Sequence, residues 1–128
     1  MTRRAPFVVG VVTSPAGVLL VHRTEHFPPV IFPGARAEQG EEPGAAAVRG
    51  VMDDARLRVR PGRVLGRQVT EDGRPLVYVA ALPVVAVLRD AVAPSLHVGW
   101  YFLDQVELAL PDLFGPVHRH LERTIPRR

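Results

Sequence analysis

The segment from Pro43 to Ala55 most constrains this chain, because it carries a helical period in a sequence otherwise made of short β-branched runs. Val48, Val51, Met52 and Ala55 fall at i, i+3, i+4 and i+7, which predicts one apolar stripe along a helix. Arg49, Gly50, Asp53 and Asp54 are expected on the opposite side. Pro43 suits a first turn, where its missing N–H costs nothing. Gly44 and Gly50 work against the helix, each by roughly 1 kcal/mol relative to alanine. Such a helix needs a sheet to cover its stripe.

The flanking sequence supplies one. Phe7 to Val12 is a β-branched run, Ser14 to Gly17 a turn, and Val18 to Val21 a second run, so a hairpin is expected. Val30 to Phe32 reads as a third strand stopped by Pro33 and Gly34, with a polar loop from Gly34 to Glu42. Val64 to Thr70 and Leu76 to Leu82 form a further hairpin around Glu71-Asp72-Gly73, which Val84 to Leu88 extends. His97 to Leu103 is a strand holding the single tryptophan, Trp100. Asp104 caps a short turn, and Leu113 to Thr124 makes a second helix. The expected class is α+β with a mixed central β-sheet, built as one domain over residues 1–128.

Composition narrows the function. At 128 residues and 47% hydrophobic the chain can bury one core. The arginines before Phe7 resemble a leader, yet Gly10 and Pro15 interrupt the apolar run, so a first strand is the better reading. No apolar stretch is long enough for a membrane helix. Zero cysteines exclude disulfides and thiolate zinc sites and fit a cytoplasmic protein. All 16 basic side chains are arginine, but they are scattered and the net charge is only +3, so no nucleic-acid surface is expected. There is no P-loop and no Ser-His-Asp order. His118 and His120 are two apart on the second helix and share no face for a metal.

Chemistry concentrates between Pro33 and Leu57. Asp53 and Asp54 project from a helix whose Arg49 sits one turn earlier, and Glu41 marks the loop-to-helix junction. Carboxylates with a loop carbonyl suit hard cations such as Mg²⁺, completed by substrate phosphates. Spacing and order resemble the Nudix hydrolase family, whose signature runs G-x5-E-x7-R-E-U-x-E-E-x-G-U, with U a bulky apolar residue. Here Ala35 takes the first position, Glu41 the first glutamate and Arg49 the arginine. Val51 and Leu57 take the apolar positions, and Asp53 and Asp54 the paired glutamates. His22-Arg23 after the second strand, Phe32-Pro33-Gly34 before the loop, and Trp100 with Leu103-Asp104 are also similar to the family pattern.

The resemblance implies a Nudix-like α/β/α sandwich with a loop-helix and a C-terminal helix. It implies hydrolysis of a phosphoanhydride in a nucleoside-diphosphate-linked substrate, with Mg²⁺ or Mn²⁺ held by Glu41, Asp53 and Asp54. Arg49 would orient the carboxylates, Arg23 and Arg36 would bind phosphates, and His97 is the candidate base. His22 and His26 would line the pocket mouth. Four positions depart from the signature: Ala35 and Arg56 replace glycines, Gly50 replaces a glutamate, and both aspartates are one methylene short, about 1.5 Å. These departures favour an alternative, a catalytically inactive Nudix-fold module that binds a ligand or a protein. A Gly50→Glu exchange would test whether the box lacks chiefly one carboxylate. The apolar Leu76 to Leu88 region offers a homodimer surface.

Overall fold

A computed structural model describes residues 5–23, 29–84 and 97–128. The elements run β1 (Phe7–Ser14), β2 (Gly17–His22), β3 (Val30–Ile31), β4 (Gly34–Arg36), α1 (Pro43–Ala55), β5 (Val59–Val69), β6 (Pro75–Pro83), β7 (His97–Tyr101), α2 (Leu103–Ala109) and α3 (Gly115–Thr124). Strand β1 is the hub. One of its edges is shared between β4, antiparallel from Phe7↔Arg36 to Val9↔Gly34, and β2, antiparallel at Thr13↔Val18 and Ser14↔Gly17. The other edge pairs in parallel with β6, from Phe7↔Leu76 to Val12↔Ala81. Antiparallel β5 lies beyond β6, and β3 and β7 flank β2. The sheet is therefore mixed, as expected.

Alternation along β1 divides the core into two layers. Val8 packs with Ala46, Ala47, Val77 and Val79, while Val12 packs with Val51, Ala55 and Leu19. Val9 and Val11 point the other way, towards Leu103, Val106, Val117 and Leu121 of α2 and α3. Helix α1 thus covers one face of the sheet and α2 with α3 the other, an α/β/α sandwich. Trp100 packs on the α1 side and Tyr101 on the α3 side.

The helix from Pro43 to Ala55 stands where the sequence put it, but its faces differ. Its buried residues are Ala46, Ala47, Gly50, Val51 and Ala55, so Gly50 belongs to the inner side, and Val48 and Met52 are only half-buried. Small side chains let α1 approach the sheet closely: a Cβ on Gly10 of β1 would lie 2.8 Å from a methyl of Val51. Strand β5 starts earlier than the β-branched run suggested. It passes through Pro61 and Gly62 with irregular register between Pro61 and Gly66, which an edge strand tolerates.

Strand β7 ends at Tyr101, and the turn expected at Asp104 is a helix. There the Gln105 side chain accepts the Phe102 N–H at 2.8 Å and Asp104 occupies the favourable first turn. The C-terminal helix starts at Gly115 rather than Leu113. Strand β6 ends at Pro83; residues 85–88, like His26, lie outside the described residues.

Candidate active site

Strand β4 and α1 are joined by residues 37–42, and two sets of contacts pin this loop to the helix. The first is an ion pair. Glu41 Oε1 accepts from Arg49 Nη2 at 2.8 Å and from the Glu38 N–H at 2.9 Å, while Oε2 accepts from Arg49 Nε at 3.2 Å. Arg49 Nη2 also donates to the Arg36 carbonyl at 2.8 Å, tying the end of β4 to the second turn of α1. The Arg49 hydrogen bonds, aided by the Glu38 N–H, hold the Glu41 carboxyl below the usual glutamate range. Glu41 in turn raises Arg49, and the Asp53 charge one helical turn on adds a smaller push in the same direction.

The second set lies on the inner side of the helix. Asp54 Oδ2 accepts the Gly34 N–H at 3.0 Å. Half-burial raises this carboxyl above the usual aspartate range; the Gly34 N–H opposes the rise, and the adjacent Asp53 charge adds to it. One turn before Asp54, Gly50 lies directly on the β4 backbone. A Cβ there would sit 2.5 Å from Gly34 C, 2.8 Å from Ala35 N and 2.9 Å from Gly34 Cα. Gly34 is equally confined, since its own Cβ would be 2.5 Å from the Val8 carbonyl oxygen. Gly50 therefore lies against the Gly34–Ala35 backbone while Gly34 is packed against β1, and this close approach lets a carboxylate reach the loop backbone.

Of the residues singled out in the sequence, Glu41 and Arg49 come together, and Asp54 joins the Gly34 backbone. Asp53 is exposed beside them. Among the described residues no three histidine, aspartate or glutamate side chains converge to hold a metal. Glu41 is occupied by Arg49, which leaves the two aspartates and the neighbouring loop backbone as oxygen donors. That set fits Mg²⁺, which keeps several waters and takes one or two carboxylates plus substrate phosphates.

Arg36 is exposed at the end of β4, and Arg23 follows β2 with its N–H on the Pro29 carbonyl at 2.7 Å. His97 pairs with His22 where β7 meets β2. His22 stacks on Tyr101, with ring centroids 5.5 Å apart. Sequence reasoning missed the Gly34–Gly50 seam. Its signal was there: a glycine four residues before Asp54 and another just after Pro33.

A mixed sheet lies between helices, and two adjacent acids stand on a helix seated against a glycine-containing loop. The chain belongs to the Nudix family: the model of the NUDIX domain matches residues 1–123. It is 40% identical over 111 residues to diphosphoinositol polyphosphate phosphohydrolase 2 of Homo sapiens, covering 83% of this chain and 61% of that protein. The chain thus spans about three-fifths of the length of that curated relative. Its fold is also that of a NUDIX hydrolase from Nitrosomonas europaea, with a TM-score of 0.66 at 17% identity over 97% of this chain and 93% of the other. A MutT protein from Methanosarcina mazei Go1 gives 0.66 at 18% identity over 93% of each.

Proposed function

We propose that this chain hydrolyses a phosphoanhydride bond in a small diphosphate-bearing substrate, with a divalent cation held at Asp53 and Asp54. The observation that carries the reading is the Asp54 carboxylate, half-buried, fixed at 3.0 Å to the Gly34 N–H and adjacent to a second acid. A bound Mg²⁺ or Mn²⁺ would offset phosphate charge and ease deprotonation of an attacking water. Arg49 keeps Glu41 ionised and braces the loop, and Arg23 and Arg36 contact phosphates. Water attack at phosphorus breaks the P–O–P bridge and leaves two phosphorylated products. The substrate is nucleoside-diphosphate-linked or, following the relative's name, a diphosphoinositol polyphosphate. Residues 1–128 act as one domain in this reading, and His97 remains the candidate base.

A second reading, a binding module without turnover, is favoured by Gly50, which supplies no carboxylate and has no room for one. One experiment separates the two. The protein is assayed with Mg²⁺ or Mn²⁺ against ADP-ribose, nucleoside triphosphates, nucleotide sugars, dinucleoside polyphosphates and a diphosphoinositol polyphosphate, alongside an Asp53→Asn/Asp54→Asn variant. Phosphate release by wild type, falling about 100-fold or more in the variant, supports hydrolysis, since misplacement near 1 Å already costs that much. Equal background in both proteins sinks it. Calorimetric binding without turnover supports the second reading.

A further inference from the structure

Helix α3 divides its charges between two flanks. On one, His118 Nε2 meets Glu107 Oε2 of α2 at 2.7 Å, its Nδ1 lies 3.5 Å from Glu122 Oε1, and Arg127 donates to Glu107 at 2.8 and 3.2 Å. There His118 and Arg127 both meet acids. The other flank faces β5. A Cβ on Gly66 of that strand would lie 2.7 Å from the Phe114 ring and 3.3 Å from Pro116 Cβ. His120 and Arg123 follow Pro116 at i+4 and i+7, so they continue this flank along the helix.

On β5, Arg63 stands two residues before Leu65 and shares its face. Leu65 is buried with Val117 and Leu121 beneath α3, so Arg63 is turned to this helix and not to α1. Arg63 and Arg123 are exposed, and neither makes an ion pair among the described residues. Partial burial, with the Arg63 and Arg123 charges, holds the His120 imidazole below the usual histidine range. From the other elements near α3, β1 brings no charge, and Tyr78 of β6 donates its hydroxyl to Gln68 at 3.0 Å. Asp104 and Glu107 of α2 are engaged on the opposite flank, by the Arg128 N–H and by His118 with Arg127. The border between α3 and β5 therefore gathers two guanidiniums and an imidazole, with no ion pair to answer them among the described residues.

We propose that this border binds a small soluble phosphate or diphosphate anion, its oxygens shared between the Arg63 and Arg123 guanidiniums and the His120 ring. Charge complementarity selects the occupant. Guanidinium forks match phosphate oxygens in pairs, and three such donors exceed what one carboxylate can answer. Glu107 and Glu122 on the next flank repel an extended polyanion or an anionic membrane laid along α3, which favours a compact ligand. The site is distinct from the loop–helix junction, because α3 and α1 cover opposite faces of the sheet. A bound anion reverses the field at His120, so binding takes up a proton there and tightens as pH falls.

The test is an NMR titration of the full chain, without added metal, with inorganic diphosphate at constant ionic strength. Saturable amide shifts at Arg63, His120 and Arg123, with the His120 ring titrating about one pH unit or more higher, support the site. Arg63→Ala/Arg123→Ala removes two exposed side chains. It should weaken binding about tenfold or more, as expected for lost charge-assisted hydrogen bonds, and should raise the His120 midpoint of the free protein. Asp53→Asn/Asp54→Asn should leave the response at the border intact, which separates this site from the proposed cation site. Acetate binding as tightly as diphosphate, an unmoved His120 midpoint, equal affinity in the double arginine variant, or loss of the response in the double aspartate variant overturns the inference. Tighter binding of a single-stranded oligonucleotide or of phosphatidylglycerol vesicles also overturns it, by assigning these cations to a larger partner.

Discussion

The outer fastening of α1 to its loop is an ion pair in contact with water, whereas the inner one is a seam of backbone on backbone. In the ion pair, Glu41 and Arg49 retain 16% and 35% of their side-chain exposure, and three hydrogen bonds favour the charged carboxylate. In the seam, Gly50 lies on Gly34 and Ala35, and Asp54 is charged at the expense of its solvation. One carboxylate is made more acidic and the other less so within the same motif. The difference teaches that the ion pair can absorb substitution by rearranging in water, while the seam cannot. It also makes Asp54 the strained member: its charge opposes stability and is available for a cation.

The largest break in this comparison comes from filling the seam. Gly50→Glu must push backbone atoms apart, and a loss of about 3 kcal/mol is expected in urea unfolding, with no gain in hydrolysis. The signature's glutamate thus cannot simply be restored, contrary to what the resemblance alone invites. Gly50→Ala sharpens the point: helix propensity returns about 1 kcal/mol, but overpacking costs about 1–3 kcal/mol, so a net loss is expected. A more stable alanine variant would show that the seam is loose.

Next comes Asp54→Asn. The folded-state carboxyl is raised, so between the unfolded and folded values the folded state binds more protons and stability falls as pH rises. At neutral pH ionised Asp54 is therefore a liability. The amide, which keeps an acceptor for the Gly34 N–H, should raise the melting temperature of the metal-free protein while abolishing Mn²⁺ binding by electron spin resonance. A lower melting temperature would contradict the half-buried charge.

Glu41→Gln should act in the opposite sense and more weakly. The Glu41 carboxyl is lowered, so its contribution is present above the ordinary glutamate value of about 4.3 and lost as pH falls through the folded value. The variant should be slightly less stable at pH 7 and indistinguishable from wild type well below that window, as read by thermal melts across pH. The smallest effect lies at the far end of the helix, where Arg56 takes a left-handed conformation, φ 54°, and its N–H meets the Met52 carbonyl at 2.9 Å. Arg56→Gly relieves that strain and should stabilise by at most about 1 kcal/mol.

Much of the fold was legible because periodicity speaks directly about burial. The runs around Val8, Val18 and Val77 are continuous apolar stretches that mark buried strands, the helical period marks α1, and Pro43 announces its start. The errors were of a different kind. A glycine in a helical pattern looks like a weak point on a polar face, and only the approach of β4 reveals Gly50 as an inner contact. Strand β5 hid behind Pro61 and Gly62, which propensity excludes and an edge position allows. In the site, register along the box identified Glu41, Arg49, Asp53 and Asp54 as neighbours in sequence space. It could not say that Glu41 would turn to Arg49 and Asp54 to Gly34, since both choices depend on where the loop backbone lies.

The parallel pairing of β1 with β6 sets an order of events during synthesis. Phe7 finds Leu76 across the sheet, 69 residues later in the chain. At cellular elongation rates of roughly 5–20 residues per second, one edge of β1 waits about 3–14 s for its partner. The opposite edge can be covered at once by β2 and soon after by β4. The nascent chain therefore carries a half-satisfied apolar strand through most of its production, and closure of that long loop is the natural slow step of folding.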